Sequence, residues 1–78
     1  MSETMLDVSG LTCPLPVLKA NKALRGLPGG ARLTVIATDP ASVADFHAYA
    51  QETGHALVSV SQEKNAWRFT LRKRDTPK

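Results

Sequence analysis

Two proline-marked junctions, Cys13-Pro14 and Asp39-Pro40, constrain this chain more than any other feature, because each follows a short stretch of alternating apolar and polar residues. Proline fixes φ near about −65° and has no N–H, which suits the first position of a helix. Each junction therefore reads as a strand handing over to a helix, with Cys13 and Asp39 as N-caps and Pro14 and Pro40 as first helical residues.

The rest of the chain fits around these two points. Leu6 and Val8 lie on one side of the segment Met5–Val8 and Asp7 on the other, as in a half-buried strand. Beyond the first junction Val17, Ala20, Leu24 and Leu27 recur at helical spacing with Leu18 beside them, and Gly26 stops the helix ahead of Pro28-Gly29-Gly30. That Pro-Gly-Gly feeds a strand and lacks a Gly-Lys-Ser/Thr ending, so it is a turn and not a phosphate loop. Arg32–Thr38 alternates and is rich in β-branched residues, hence a second strand. The second helix carries an apolar stripe of Val43, Phe46 and Ala50, with Tyr49 at its margin, and ends at Gly54. Ala56–Ser61 and Trp67–Arg72 alternate again on either side of the polar link Gln62-Glu63-Lys64-Asn65, which predicts a hairpin. The order is βαβαββ. Crossovers through a helix return parallel and a hairpin returns antiparallel, so the expectation is an α+β fold, a two-layer sandwich with a mixed four-stranded sheet and both helices on one face. Residues 1–78 form one domain, with 1–4 and 75–78 expected to fray.

A chain of 78 residues buries roughly 60% of its unfolded surface, enough for a single modest core. No apolar run approaches the roughly 18 residues of a membrane span, and Met1-Ser2-Glu3-Thr4 lacks the basic start of a secretory signal, so a cytoplasmic protein with no membrane partner is expected. The net charge is +3. With 7 acidic residues interspersed among 10 basic ones, this favours acidic protein surfaces over nucleic acid as the main partner.

Cys13 is the single cysteine, so any exchange with another thiol is intermolecular. A lone cysteine can simply be a small buried hydrophobe. At a helix N-cap, however, its sulfur meets the positive end of the helix dipole, which lowers the thiol pKa from about 8.5. Pro14 and Pro16 would stand at the first and third helical positions, removing backbone donors while stiffening the turn that points the sulfur to solvent. The expectation is a moderate fall in pKa and strong presentation. No His, Asp or Glu stands beside Cys13 in sequence, which would be awkward for a hydrolase. Lys19, Lys22 and Arg25 line another face of the same helix, either a solvated face or a docking surface for an acidic partner. His47 and His55 do not have the spacing of a zinc module, so no metal site is expected.

The arrangement Leu6-Asp7, Gly10-Leu11, Cys13-Pro14-x-Pro16, then helix, strand and Asp39-Pro40, resembles the TusA/SirA family of small sulfur-carrier proteins from about Leu6 to Lys73. The resemblance implies the same two-layer sandwich. It also implies a carrier that takes a sulfane sulfur as a transient persulfide on Cys13, the position matching the family's persulfide-bearing cysteine, with Pro14 and Pro16 matching the motif's two prolines. Beyond the persulfide no cofactor is implied. The implied partners are a donor such as a cysteine desulfurase or rhodanese and an acceptor protein in tRNA thiolation, cofactor biosynthesis or sulfur metabolism, making the chain an accessory sulfurtransferase more than an independent enzyme. Two departures stand out. Phe46-His47-Ala48-Tyr49-Ala50 lacks the second cysteine that many members carry, and Leu15 stands where some tRNA-thiolation members have an acidic residue. The competing reading is a basic RNA- or protein-binding module using Arg68, Arg72, Lys73 and Arg74, with an incidental or redox-sensing cysteine.

Overall fold

The computed structural model describes residues 3–75. The elements run β1 (Glu3–Asp7), α1 (Leu15–Arg25), β2 (Arg32–Ala37), α2 (Ser42–Thr53), β3 (Ala56–Glu63) and β4 (Ala66–Arg72), the expected βαβαββ order. The sheet order is β1-β2-β4-β3. β1 pairs parallel with β2, while β4 is antiparallel to both β2 and β3, which makes the sheet mixed. Two residues, Lys64 and Asn65, close the hairpin between Glu63 and Ala66.

Alternation decides which side of the sheet is covered. Leu33, Val35 and Ala37 pair across to Leu71, Phe69 and Trp67, so these residues share one face, and both helices pack on it. Ala20 and Leu24 from α1 and Phe46 and Tyr49 from α2 complete the core. Phe46 and Phe69 stack there with ring centroids 4.6 Å apart. The opposite face holds Met5, Thr34, Ile36, Arg68, Thr70 and Arg72 and carries no helix.

Several boundaries differ from the sequence reading. β1 begins at Glu3, so Glu3 and Thr4 are paired with Arg32 and Leu33 instead of fraying; of the expected tails, residues 1–2 and 76–78 lie outside the described residues. Leu18 is not part of the buried stripe but 55% exposed, and its place is taken by Pro16, whose ring is fully buried. Tyr49 belongs to the core, since its hydroxyl finds a partner in donating to Asn21 Oδ1 at 2.9 Å. The sheet supplies the site through its parallel pair: β1 and β2 end side by side, so the two strand-to-helix junctions emerge next to each other at one edge of the domain.

Candidate functional site

From Val8 onward the chain is shaped by local and cross-junction hydrogen bonds. Val8 N–H donates to Ile36 O at 2.8 Å and Leu11 N–H to Val8 O at 3.2 Å. Gly10 sits at φ +83°, a left-handed conformation that glycine adopts without a Cβ clash, and its N–H donates to Thr38 Oγ1 at 2.8 Å. The Cys13–Pro14 peptide is cis. Leu15 N–H closes a turn onto Thr12 O at 2.9 Å, and the first helical bond runs from Leu18 N–H to Pro14 O at 3.1 Å.

This moves the helix start by one residue. Pro14, not Cys13, is the N-cap of α1, so Leu15 and Pro16 occupy the first two helical positions. Cys13 therefore lies one residue outside the helix, and its own N–H is not a helical donor. It donates instead to Asp39 Oδ2 at 2.7 Å, a short charge-assisted bond. The other oxygen of the same carboxylate, Oδ1, accepts from Ala41 N–H at 3.1 Å. Asp39 is consequently not the N-cap of α2 either; that position is Ala41, and Asp39 stands two residues before it, bridging both junctions with one side chain.

Cys13 is free and exposed, as a presented thiol requires. Its sulfur opens on a shallow recess of about 180 Å³ between α1 and α2, with Val17, Ala48 and Tyr49 as the apolar part and Asp45 and Glu52 as the charged part. The thiol pKa is raised, not lowered. A hydrogen bond from the thiol to the Asp45 carboxylate is the main cause, with partial desolvation and the negative charges of Asp45 and Asp39 acting the same way. The expected dipole effect is overridden because Cys13 has left the cap position, while two carboxylates absent from its sequence neighbourhood converge on it.

The other predicted residues are distributed as follows. Pro14 is exposed at the turn and Pro16 is buried under it. Lys19, Lys22 and Arg25 are all exposed, yet Lys19 and Lys22 flank a recess with Leu6 and Ala23, whereas Arg25 faces a different recess near Asn21 and Arg74. Steps of three residues set Lys19, Lys22 and Arg25 over an arc of about 120° on the exposed side of α1, bordering two different recesses. Leu15 and Leu18, 42% and 55% exposed, add apolar surface to α1 just beyond the thiol. Arg68 and Arg72 project from the open sheet face, Arg68 pairing with Glu63 at 3.4 Å. Lys73 instead donates from Nζ to Leu27 O on the helix side, and Arg74 N–H donates to His55 Nδ1 at 3.0 Å. These four cations thus serve two different surfaces. Among the described residues no three His, Cys, Asp or Glu side chains converge as a metal cluster would require. Nor is any helix long and apolar enough to cross a membrane.

Sequence reasoning missed Asp39 as a positioning group and Asp45 as the thiol's partner. Asp39 carried a signal, since an Asp before a proline turn caps something; what it caps across the sheet carried none. Asp45 lies 32 positions from Cys13 on an otherwise ordinary polar stretch of α2.

The fold and the site together define a small α+β domain that presents a single exposed thiol at a strand-to-helix turn. The architecture matches the SirA-like protein of Desulfitobacterium hafniense with a TM-score of 0.80, covering 92% of this chain and 99% of that one at 24% identity, which establishes the fold. The family model described as sulfurtransferase TusA matches residues 4–73, and the chain belongs to that family. It is 48% identical over 68 residues to the sulfur carrier protein TusA of Allochromatium vinosum, covering 87% of this chain and 90% of that protein. A putative sulfur carrier protein of Neisseria meningitidis serogroup A is 46% identical over 71 residues, or 91% and 93% of the two chains.

Proposed function

We propose that the protein is a sulfur carrier in which Cys13 bears the sulfur as a persulfide between a donor protein and an acceptor protein. The observation that carries this reading is the exposed thiol whose backbone is clamped by Asp39 and whose sulfur lies at the mouth of an open recess. Such a recess gives access to another protein's cysteine and does not enclose a small substrate.

In loading, the thiolate of Cys13 attacks the outer sulfur of the donor's cysteine persulfide. The new S–S bond forms on Cys13, the donor's S–S bond breaks, and the donor cysteine leaves as thiolate. In delivery, an acceptor thiolate attacks the outer sulfur on Cys13, and Cys13 leaves as thiolate in turn. Neither half changes the net redox state, and neither needs a metal or a resident cofactor. Clamping the Cys13 backbone fixes the sulfur's position and lowers the orientational cost of meeting a second protein. The donor is a persulfide-forming enzyme such as a cysteine desulfurase or a rhodanese, and delivery feeds tRNA thiolation, cofactor biosynthesis or sulfur metabolism.

Intact-protein mass spectrometry after incubation with a cysteine desulfurase and cysteine tests the reading. A gain of one sulfur, about 32 Da, that reductant removes and Cys13→Ser abolishes is the expected result. A folded wild-type chain that gains no sulfur from either a desulfurase or a rhodanese overturns it.

A further inference from the structure

The recess beside Cys13 does not end where the thiol's surroundings end. Glu52 lines it and also lines a second recess, of about 410 Å³, farther along the two helices. The two recesses adjoin at Glu52, and the Tyr49–Asn21 hydrogen bond joins a residue lining the first to a residue lining the second, so together they are treated as one α1–α2 groove. Its charge reverses along its length. Asp45 stands at the Cys13 end, with Asp39 behind the thiol; Arg25, Lys73 and Arg74 stand at the far end around His55, where they outnumber Glu52, the carboxylate both recesses share. Burial first, and then the charges of Arg74 and Lys73, hold His55 below its ordinary pKa.

Taking the carrier reading as given, we propose that this groove docks the thiol-bearing segment of the partner, an extended peptide with a basic residue next to the reacting cysteine and an acidic residue about four positions further on. Charge complementarity fixes the sign at each end. Length fixes the spacing: from Asp45 to Thr53 α2 rises about 12 Å at 1.5 Å per residue, which an extended chain spans in about four residues. The basic residue also has a chemical effect. By pairing with Asp45 it offsets the negative charge beside Cys13, so the thiol ionises more readily when a matching partner is seated.

Capped synthetic hexapeptides test this without any donor enzyme. The matched peptide has cysteine at one end, lysine beside it, three glycines and glutamate at the other end; its counterpart exchanges the two charges, and both are made in both chain directions. The peptide cysteine is activated as a mixed disulfide with thionitrobenzoate. Cys13 loses its proton to solvent and attacks the peptide sulfur, a peptide–Cys13 disulfide forms, and thionitrobenzoate leaves with the electron pair and is read by absorbance. In at least one chain direction the matched peptide should react about tenfold faster than the exchanged one at low salt, with the ratio falling towards one at high salt. The double variant Asp45→Lys with Arg74→Glu should reverse the preference, and Arg68→Glu on the opposite sheet face should leave it unchanged. Equal rates for both charge patterns in both directions, a preference indifferent to salt, or no reaction with any peptide overturns the groove. Desulfurase loading measured in parallel separates the two ideas: a chain that loads sulfur without a peptide preference loses only the groove, and one that shows the preference but never loads loses the carrier reading.

Discussion

The two strand-to-helix junctions look alike as sequence and behave in opposite ways. At Cys13-Pro14 the cysteine lies outside the helix cap and is exposed, so its thiol faces solvent with Asp45 beside it. At Asp39-Pro40 the side chain is wholly engaged, one oxygen on Ala41 N–H and the other on Cys13 N–H. One junction presents an exposed thiol and the other holds its backbone. They can divide the work because β1 and β2 are parallel neighbours and deliver both turns to the same edge.

The largest way to break this contrast is to remove each side chain in turn. Cys13→Ser should abolish sulfur acceptance completely while leaving thermal stability within about 0.5 kcal/mol, since an exposed thiol contributes little packing; mass spectrometry and a melting curve read the two effects. Asp39→Ala should do the reverse in kind. It leaves two backbone donors without their charged acceptor and should cost about 1 to 3 kcal/mol by denaturant unfolding, with sulfur loading slowed but not lost. An Asp39→Ala variant as stable as the wild type would mean that the bridge between the junctions is incidental.

The thiol's own environment gives a smaller, signed effect. Because Asp45 accepts from the thiol and adds negative charge beside it, the Cys13 pKa lies above its ordinary value. In Asp45→Asn the charge is gone, so the midpoint of the alkylation rate against pH should move down and the rate at neutral pH should rise several-fold. Asp45→Glu should retain most of the wild-type profile. An unchanged midpoint in folded Asp45→Asn would remove Asp45 from the site.

The smallest effect concerns the Asp39 junction alone. Ser42, the first residue of α2, is 1% exposed and its Oγ has no hydrogen-bond partner. Ser42→Ala should therefore be neutral or stabilising by up to about 1 kcal/mol, read as a small rise in melting temperature. A loss of more than about 1 kcal/mol would mean that this hydroxyl supports the Asp39 turn.

Most of the fold was legible because its signals are local. Alternation in Leu33, Val35 and Ala37 and in Trp67, Phe69 and Leu71 identifies strands and their buried face without reference to anything distant. Gly54, at φ +83°, ends α2 where the sequence places the stop. Helix starts were less legible. A proline before a helix is compatible with both the cap and the first turn, and the choice depends on which carbonyl receives the first helical N–H. Pro16 stands four residues before Ala20 and eight before Leu24, on their buried face, whereas Leu18 is two residues from Ala20 and about 160° around the helix from it.

For the site, the sequence by itself determined the lone thiol, its place between a strand and a helix, and the family to which the chain belongs. Tertiary structure alone decided the thiol's protonation, the clamp on its backbone and the groove it opens onto. The physical reason is range. Strand alternation, proline geometry and glycine turns act within a few residues, whereas a pKa responds to every charge within several ångströms, and the carboxylates that set it here come from positions 39 and 45, brought beside Cys13 only when β1 and β2 pair and α2 folds back over the sheet.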